Sequence, residues 1–215
     1  MIISYWHIAI AQRVDLDTLA NNIGEPNLHH HLQCFLQDQL KLDTSSSSPF
    51  FYIPDKILVY SSMVATLYAP SDLCGTGGMC HEQMHAVTSW QCGRPWYDCD
   101  FINTDESEPG MHGLSIAWAR LFFSATVNCL KYPCALVHWY SPVGDPLDES
   151  TGMWAVEPDT LDDGKPWMAI IHLDTVVQLA HLLPIYGEEQ APRGVKYTSS
   201  LDVFSADHHA SEIAF

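Results

Sequence analysis

The amino-acid sequence predicts a mainly β domain with a helical appendage at its N-terminus, which is an α+β fold overall. The first observation is the segment 131–158, in which two stretches rich in β-branched and aromatic residues, 133–140 and 151–156, flank a turn of Pro, Gly and Asp residues. We interpret this segment as two strands of one hairpin. Strands need partners, and further candidate strands lie at 57–68, 97–103, 167–173 and 180–186.

The residues before position 41 have the periodicity of helices. Asp15 or Asp17 is placed to cap a first short helix that ends at Gly24, and Pro26 stands where a second helix begins. An apolar stripe at helical spacing follows, formed by Leu28, Leu32, Phe35, Leu36 and Leu40. The N-terminal part of the chain is therefore predicted to be a pair of helices.

Changes in composition divide the chain into three predicted regions. A run of four serines follows the helices and is typical of a linker, so residues 1–48 form the helical appendage with its Ser-rich linker. Residues 49–190 form the β-rich domain. Residues 191–215 form a poorly ordered tail, because no convincing helix continues into this acidic and His-rich segment.

Three segments of the β-rich region need an assignment of their own. Residues 115–128 fit a buried strand or a short helix, and the flanking strands favour a strand. Residues 69–95 are interrupted by Gly and Pro and are interpreted as one long irregular loop. Residues 174–179 fit a single helical turn between two strands.

Composition argues against a membrane or secreted protein. No apolar run reaches the roughly 18 residues that a membrane-spanning helix needs, and the N-terminus lacks the basic start and the cleavage site of a signal peptide. The expected location is therefore intracellular, with no membrane partner. The odd number of cysteines, seven, indicates reduced thiols in such a compartment.

The charge balance is strongly acidic. Nine Lys and Arg residues stand against 26 Asp and Glu residues, so the formal net charge is −17 at pH 7. Such a surface repels phosphate backbones, and composition alone therefore disfavours nucleic-acid binding. Only four of the basic residues are arginines, whereas Cys, His and Trp are plentiful.

A Cys- and His-rich stretch, 74–99, holds the atom types of a zinc site. The candidate ligands are Cys74, Cys80, His81, Cys92 and Cys99, with His85 in the same stretch. No pair has the short spacing of common zinc motifs, so we predict no cofactor and keep zinc as the alternative. A metal-dependent or thiol hydrolase would use the same stretch.

No other motif points clearly to catalysis. The glycine-rich segment 74–79 lacks the Lys-Ser/Thr ending of a phosphate-binding loop. Cys134 and His138 lie four residues apart on a predicted strand, which separates them by about 13 Å, too far for a nucleophile and its base. The acidic residues of 105–108 and 145–149 lie in predicted turns, where they are commonplace. The chain is therefore predicted not to be an enzyme.

Read in chain order, several segments resemble the C-terminal region of fungal Plavaka-type transposases, which belong to the CACTA group of DNA elements. The matching segments include VDLDTLANNIG, VATLYAPSDLCGTGGM, RPWYDCDFINTD, PGMHGLSIAWARLFFS and YPCALVHWYSPVGDPLDESTGMWAVEP. The resemblance implies an accessory domain downstream of the catalytic carboxylate domain of such an enzyme, which these 215 residues do not include. With the strand order, it also implies a small barrel-like antiparallel domain, as in chromatin- and protein-binding modules.

The chain departs from that family at positions where the family tends to have arginine. The residues found there are Cys80, His81, Gln83, His85, Gln91 or Cys92, Trp96, His112 and Trp118. All these residue types arise from CGN arginine codons by a single C-to-T change on one strand or the other. We hypothesise a degenerate transposon copy altered by cytosine deamination, in which the ancestral stretch 79–94 was a basic patch for phosphate backbones.

The leading hypothesis is thus a non-catalytic accessory domain, a remnant of a fungal transposase that retains at most residual binding of DNA or protein. In the ancestral, nuclear protein the partners would be DNA or the transposase core. The binding residues of the former basic patch would be Cys80, His81, His85, Arg94 and Trp96. The alternatives are the hydrolase named above and a protein-interaction module that presents Trp90 and Trp96.

Overall fold

The computed structural model describes residues 7–8, 12–40, 53–68, 78–90, 93–108, 110–144, 153–184 and 212–214. Two α-helices lie near the N-terminus, α1 (Leu16–Ile23) and α2 (Leu28–Gln39). The described strands are β1 (His7–Ile8), β2 (Gln12–Asp15), β3 (Lys56–Tyr60), β4 (Ser62–Tyr68), β5 (Met79–Val87), β6 (Trp96–Tyr97), β7 (Cys99–Asn103), β8 (Leu114–Val127), β9 (Leu130–Pro142), β10 (Trp154–Pro158), β11 (Met168–His172), β12 (Val176–Ala180), β13 (Leu182–Pro184) and β14 (Glu212–Ala214). Neither described helix is both long and apolar enough to cross a membrane.

The fold is organised around the hairpin of β8 and β9. The two strands pair antiparallel from their turn back to Ile116, with one bulge at Arg120. Both loop residues, Asn128 and Cys129, have positive φ angles, 51° and 64°, as a two-residue type I′ turn requires. The strand predicted for 115–128 is therefore confirmed, and its partner is the strand predicted to follow it.

The larger sheet contains ten strands within the described residues. Seven follow one another in the order β12, β7, β8, β9, β10, β14 and β13, while β11 pairs with β9, β3 with β8, and β2 with β3. The hairpin predicted from segment 131–158 is confirmed as β9 and β10, which pair over three residues at Tyr140, Ser141 and Pro142. The acidic turn between them, 145–152, lies outside the described residues.

A mainly β, antiparallel fold with N-terminal helices is confirmed, but the sheet is not closed into a barrel. Its described path ends at β12 on one side and β13 on the other, and these two strands are not paired with each other. Closure needs a matching tilt and stagger of all strands, which strand order alone does not fix. In the predicted tail, β14 pairs with β10 and β13; the rest of 191–215 lies outside the described residues.

A smaller sheet of β1, β4, β5 and β6 contacts β8 of the larger one. Its strand β5 corrects the prediction of one irregular loop over 69–95, because β5 pairs with β4 over seven residues. The local signal for this strand is weak: Met84 and Ala86 are buried, but Cys, His, Glu and Gln occupy most neighbouring positions. Pairing with β4, rather than local propensity, fixes this segment as a strand.

The helices pack directly on the larger sheet through a shared hydrophobic core. Asp15 caps α1 by accepting a hydrogen bond from the Thr18 backbone N–H at 3.2 Å, and Gly24 ends the helix with a φ of 71°. Both ends therefore agree with the prediction. The α2 residues buried against β8 and β9 are Leu28, Leu32, Phe35 and Leu36, four members of the predicted apolar stripe.

The opposite face of the β8–β9 hairpin packs against the smaller sheet. Phe122 and Val137 meet Met63 and Met84 in this second core, and all four side chains are almost fully buried. Because the hairpin is covered on both faces, its strands form nearly continuous apolar runs instead of an alternating pattern. This second core holds the smaller sheet against the β8–β9 hairpin.

Candidate functional site

The predicted binding residues fall at two places on the smaller sheet. His85, Arg94 and Trp96 come together at one end because β5 and β6 pair antiparallel. Cys80 and His81 lie towards the other end of β5, about 13 to 17 Å away at the rise of an extended strand. The structure therefore unites three of the five predicted residues and separates the other two from them.

Three aromatic rings at this end of the smaller sheet, those of His85, Trp90 and Trp96, form what we call the aromatic cluster. The His85 ring centroid lies 4.6 Å from that of Trp90 and 5.0 Å from that of Trp96, and the two indoles are 5.8 Å apart at 67°. Tilted and edge-to-face pairs at such distances are favoured by the ring quadrupoles. His85 is buried at the base of the cluster, whereas Trp96 is 39% exposed.

The carboxylate of Asp98 orients two of these rings. Its Oδ2 accepts hydrogen bonds from the His85 backbone N–H at 2.8 Å and from His85 Nδ1 at 3.0 Å. Its Oδ1 accepts the Trp96 indole N–H at 2.8 Å. Hydrogen bonds to an ionised carboxylate are roughly twice as strong as those between neutral groups. The positions of His85 and Trp96 are therefore fixed before any ligand arrives.

The turn that carries Trp90 is closed by its own hydrogen bonds. The Trp90 backbone N–H donates to the Arg94 carbonyl at 3.0 Å, and the Gly93 N–H donates to the Trp90 carbonyl at 2.8 Å. A Cβ atom at position 93 would lie only 3.0 Å from the Trp90 carbonyl oxygen, so glycine suits this close approach. The turn thereby places the Trp90 indole beside His85 and Trp96.

The predicted zinc ligands are not brought together in the described part of the chain. Cys80 and His81 are successive residues of β5, so their side chains point to opposite faces, and His81 Nδ1 lies 2.9 Å from the Thr66 hydroxyl. Cys99 is buried in β7. Two further predicted ligands lie outside the described residues: Cys74 and Cys92. Within the described residues, no group of three or more His, Cys, Asp or Glu side chains is placed to hold a metal ion.

His85 is oriented by a carboxylate, as catalytic histidines are, but its surroundings do not present an activated hydroxyl. Ser62 is its cross-strand partner in the β4–β5 pair. This serine is only 3% exposed, and its hydroxyl accepts a hydrogen bond from the Gln83 side-chain amide at 3.3 Å. A nucleophile needs both access and a bond to its base. Among the described residues, the side-chain contacts of the His85–Asp98 pair are with the rings of the aromatic cluster and its backbone.

Cys134 and His138 both lie on β9, where the sequence places them, and both are buried. Burial raises the pKa of the Cys134 thiol far above its usual range. Burial also lowers the pKa of His138, whose Nε2 donates to the Asp159 carbonyl at 2.8 Å. A thiol that resists ionisation is a poor nucleophile. These two residues belong to the interior of the larger sheet.

Asp98 and Asp100 are the important residues that the sequence analysis does not single out. For Asp98 a signal exists, because an acid two residues after Trp96 in extended backbone points to the same side. Asp100 is 1% exposed, and its Oδ1 has no hydrogen-bond partner among the described residues. Burial, and then the charges of Asp98 and Glu82, raise the pKa of Asp100. The charged form of this side chain is therefore disfavoured in its buried position on β7.

Comparisons with known proteins leave the site to be interpreted from its own geometry. No protein-family model, no curated protein and no solved structure matches this chain. The resemblance to transposases therefore rests on the sequence segments quoted above, and the function rests on the chemistry of the aromatic cluster.

Proposed function

We propose that this domain is a non-catalytic binding module whose aromatic cluster contacts a cationic segment of a partner protein. The observation that carries the proposal is the part-exposed Trp96 indole, which Asp98 holds in place beside Trp90. Rigid tryptophans are frequent hot spots of protein interfaces, because they bury a large area at a low cost in conformational entropy.

Electrostatics favours a cationic partner. The formal net charge of the chain is −17, and the Asp98 carboxylate lies 2.8 Å from the Trp96 indole nitrogen, at the edge of the ring. A Lys or Arg side chain over a tryptophan face contributes about 0.5 to 1 kcal/mol at exposed sites and about 2 kcal/mol when desolvated. The acidic field also speeds the encounter with a basic segment.

A DNA backbone fits this surface less well. Among the described residues of the cluster and its turn, Arg94 is the single Lys or Arg. The guanidinium of Arg120 is already engaged, 4.3 Å from the Trp118 ring centroid and 4.9 Å from that of Tyr97.

On the resemblance to transposases, we place the module in the accessory region of such an enzyme, with the transposase core as its ancestral partner.

The test uses the full chain and two fluorescent probes, a peptide of alternating Lys and Pro residues, whose prolines cannot join a strand ladder, and a duplex DNA of similar length. We expect fluorescence anisotropy to show that the peptide binds. Trp96→Ala should lower the affinity for the peptide about tenfold, because about 1 to 2 kcal/mol of cation–π energy is lost. Leu130→Ala is the control, because Leu130 is 60% exposed and lies outside both the cluster and the β11 edge. It should bind like the unmodified chain.

Three results would contradict the proposal. Equal weakening by Trp96→Ala and Leu130→Ala would show that the cluster is not the contact surface. Tighter, salt-sensitive binding of the duplex would favour the DNA-binding hypothesis. Zinc near one ion per chain, in protein purified without a His tag, would favour a site in the Cys74 to Cys99 stretch and the hydrolase alternative.

A further inference from the structure

Among the described residues, the strand β11 is paired along one of its two edges only. Its five residues pair antiparallel with β9, from Met168 with His138 to His172 with Cys134. On its other side, none of the described strands pairs with it. An edge of this kind presents backbone N–H and C=O groups that lack a ladder partner and are a template for an added strand.

The outward-facing groups of this edge can be assigned from the ladder. The Trp139 N–H donates to the Trp167 carbonyl at 3.2 Å, which points the Trp167 carbonyl towards β9. Because antiparallel bonding alternates along a strand, the backbone groups of Met168 and Ile170 point away from β9. At the far end the His172 carbonyl accepts the Thr175 hydroxyl at 2.8 Å. Met168 and Ile170 thus form the open part of the edge.

A groove runs along this open edge, between β11 and α2. The cavity has a volume of about 420 Å³, within the range of about 300 to 1,000 Å³ found for ligand sites. The edge of β11 forms one wall, and Cys34, Phe35 and Asp38 of α2 contribute to the other. Apolar contact and unpaired backbone groups therefore meet in one groove.

We propose that this groove binds an extended peptide segment of a partner protein, which adds to β11 as a further antiparallel or parallel strand and carries alternating apolar and basic side chains. Strand addition supplies main-chain hydrogen bonds, and the groove supplies side-chain selectivity. This site is separate from the aromatic cluster and does not depend on the function proposed for it.

The charge of the groove favours basic side chains in the peptide. Asp38 is acidic, and the described residues that line the groove include no Lys or Arg. His31 also lines it, and burial lowers the pKa of this histidine despite the opposing effect of Glu25. With a chain that carries a net charge of −17, the groove is complementary to a cationic segment.

The test uses the full chain and two synthetic peptides of alternating Val and Lys residues, one of them N-methylated on all of its backbone nitrogens so that neither edge can pair. Hydrogen exchange followed by NMR reports each amide separately. We expect the unmethylated peptide to slow exchange of the Met168 and Ile170 amides at least tenfold. The fully N-methylated peptide should give no such protection, because it has no backbone N–H group to donate to β11.

Two variants sharpen the test. Met168→Pro removes an outward N–H that the β9 ladder does not use, so peptide binding should be lost while the circular dichroism spectrum is kept. Asp38→Asn should lower the affinity for the Val-Lys peptide severalfold and leave the affinity for a Val-Ser peptide unchanged. The second variant is in an exposed position of α2 and leaves the fold intact.

The proposal is overturned by any of three outcomes. The first is no detectable binding of the Val-Lys peptide at millimolar concentration. The second is equal protection by the N-methylated peptide, which would indicate contact through side chains alone. The third is full protection of both amides in the peptide-free protein, which would mean that the chain itself or a second copy already covers the edge.

Discussion

The hairpins β8–β9 and β5–β6 are neighbours in space but differ in the burial of their side chains and in the interactions that hold them. The β8–β9 hairpin is buried on both faces, and side chains such as Phe122, Phe123 and Leu136 are at most 1% exposed. The β5–β6 hairpin carries the buried His85 beneath Trp96, whose indole is 39% exposed. Apolar packing holds the first hairpin, and hydrogen bonds to a carboxylate orient the second.

This difference assigns stability and binding to separate parts of the molecule. Removing buried apolar atoms leaves a cavity, whereas removing an exposed indole mainly changes what the surface can bind. Substitutions in β8–β9 should therefore unfold the chain, and substitutions in the aromatic cluster should alter recognition in a chain that still folds.

The largest expected effect is in the β8–β9 hairpin. Phe123 is fully buried between the larger sheet and the helices, so Phe123→Ala should lower the free energy of unfolding by about 3 to 5 kcal/mol. Urea denaturation followed by circular dichroism measures this loss. Leu130→Ala is the control, because Leu130 is 60% exposed and should change stability by less than about 0.5 kcal/mol. A similar loss in both variants would contradict the assignment.

A smaller effect is expected from the support of the aromatic cluster. Asp98→Ala leaves the buried His85 N–H groups without their acceptor, at a cost of about 1 to 3 kcal/mol. It should also change the tryptophan fluorescence of the folded protein, since Trp96 loses its hydrogen bond. Trp96→Phe, which keeps an aromatic ring but removes that donor, should retain the stability. An unchanged spectrum in Asp98→Ala would show that Trp96 is held by other contacts.

The buried carboxyl of Asp100 makes stability depend on pH. Its pKa is raised in the folded state, so the folded chain retains a proton that the unfolded chain releases. Its contribution to stability is fully present below the unfolded pKa, near 4, and is lost as pH rises through the folded pKa. Asp100→Asn should remove this pH dependence. The free energy of unfolding of the variant, relative to that of the unmodified chain, should therefore increase from pH 4 to pH 8. If the free energy of unfolding changed with pH in the same way in both proteins, the raised pKa of the buried Asp100 carboxyl would be refuted.

The smallest expected effect is at the turn of β8–β9. Cys129 has a φ of 64°, which disfavours side chains with a Cβ atom and costs about 1 kcal/mol. Cys129→Gly should therefore raise the free energy of unfolding by at most about 1 kcal/mol. A matched change at exposed Cys34 of α2, Cys34→Gly, should lower it instead, because glycine weakens a helix interior. Destabilisation by Cys129→Gly would argue against the two-residue turn.

Much of the fold follows from local sequence signals, and the two wrong predictions, the loop over 69–95 and the closed barrel, have a common cause. The caps of α1, the apolar stripe of α2 and the strands rich in β-branched and aromatic residues all follow from short-range rules. The strand β5 is missed because its polar positions hide the alternation, and pairing with β4 supplies what propensity does not. Barrel closure is predicted wrongly because it depends on the relative tilt of strands distant in sequence.

The candidate site divides in the same way. The residue types around His85, Arg94 and Trp96 mark this stretch as unusual in the sequence. Their separation from Cys80 and His81 follows only from the pairing of β5 with its neighbours. The role of Asp98 becomes visible when its two oxygens are seen to meet the rings of β5 and β6.

By itself, the sequence determined the mainly β class, the two N-terminal helices with both ends of α1, the acidic surface and the concentration of His, Cys and Trp in one stretch. These properties depend on composition and on residues a few positions apart. Only the tertiary structure decided that β8 and β9 form a hairpin covered on both faces and that the larger sheet is not closed into a barrel. It also decided that no described strand pairs with the second edge of β11, beside α2. Each of these depends on contacts between segments distant in the chain, whose energies no local pattern encodes.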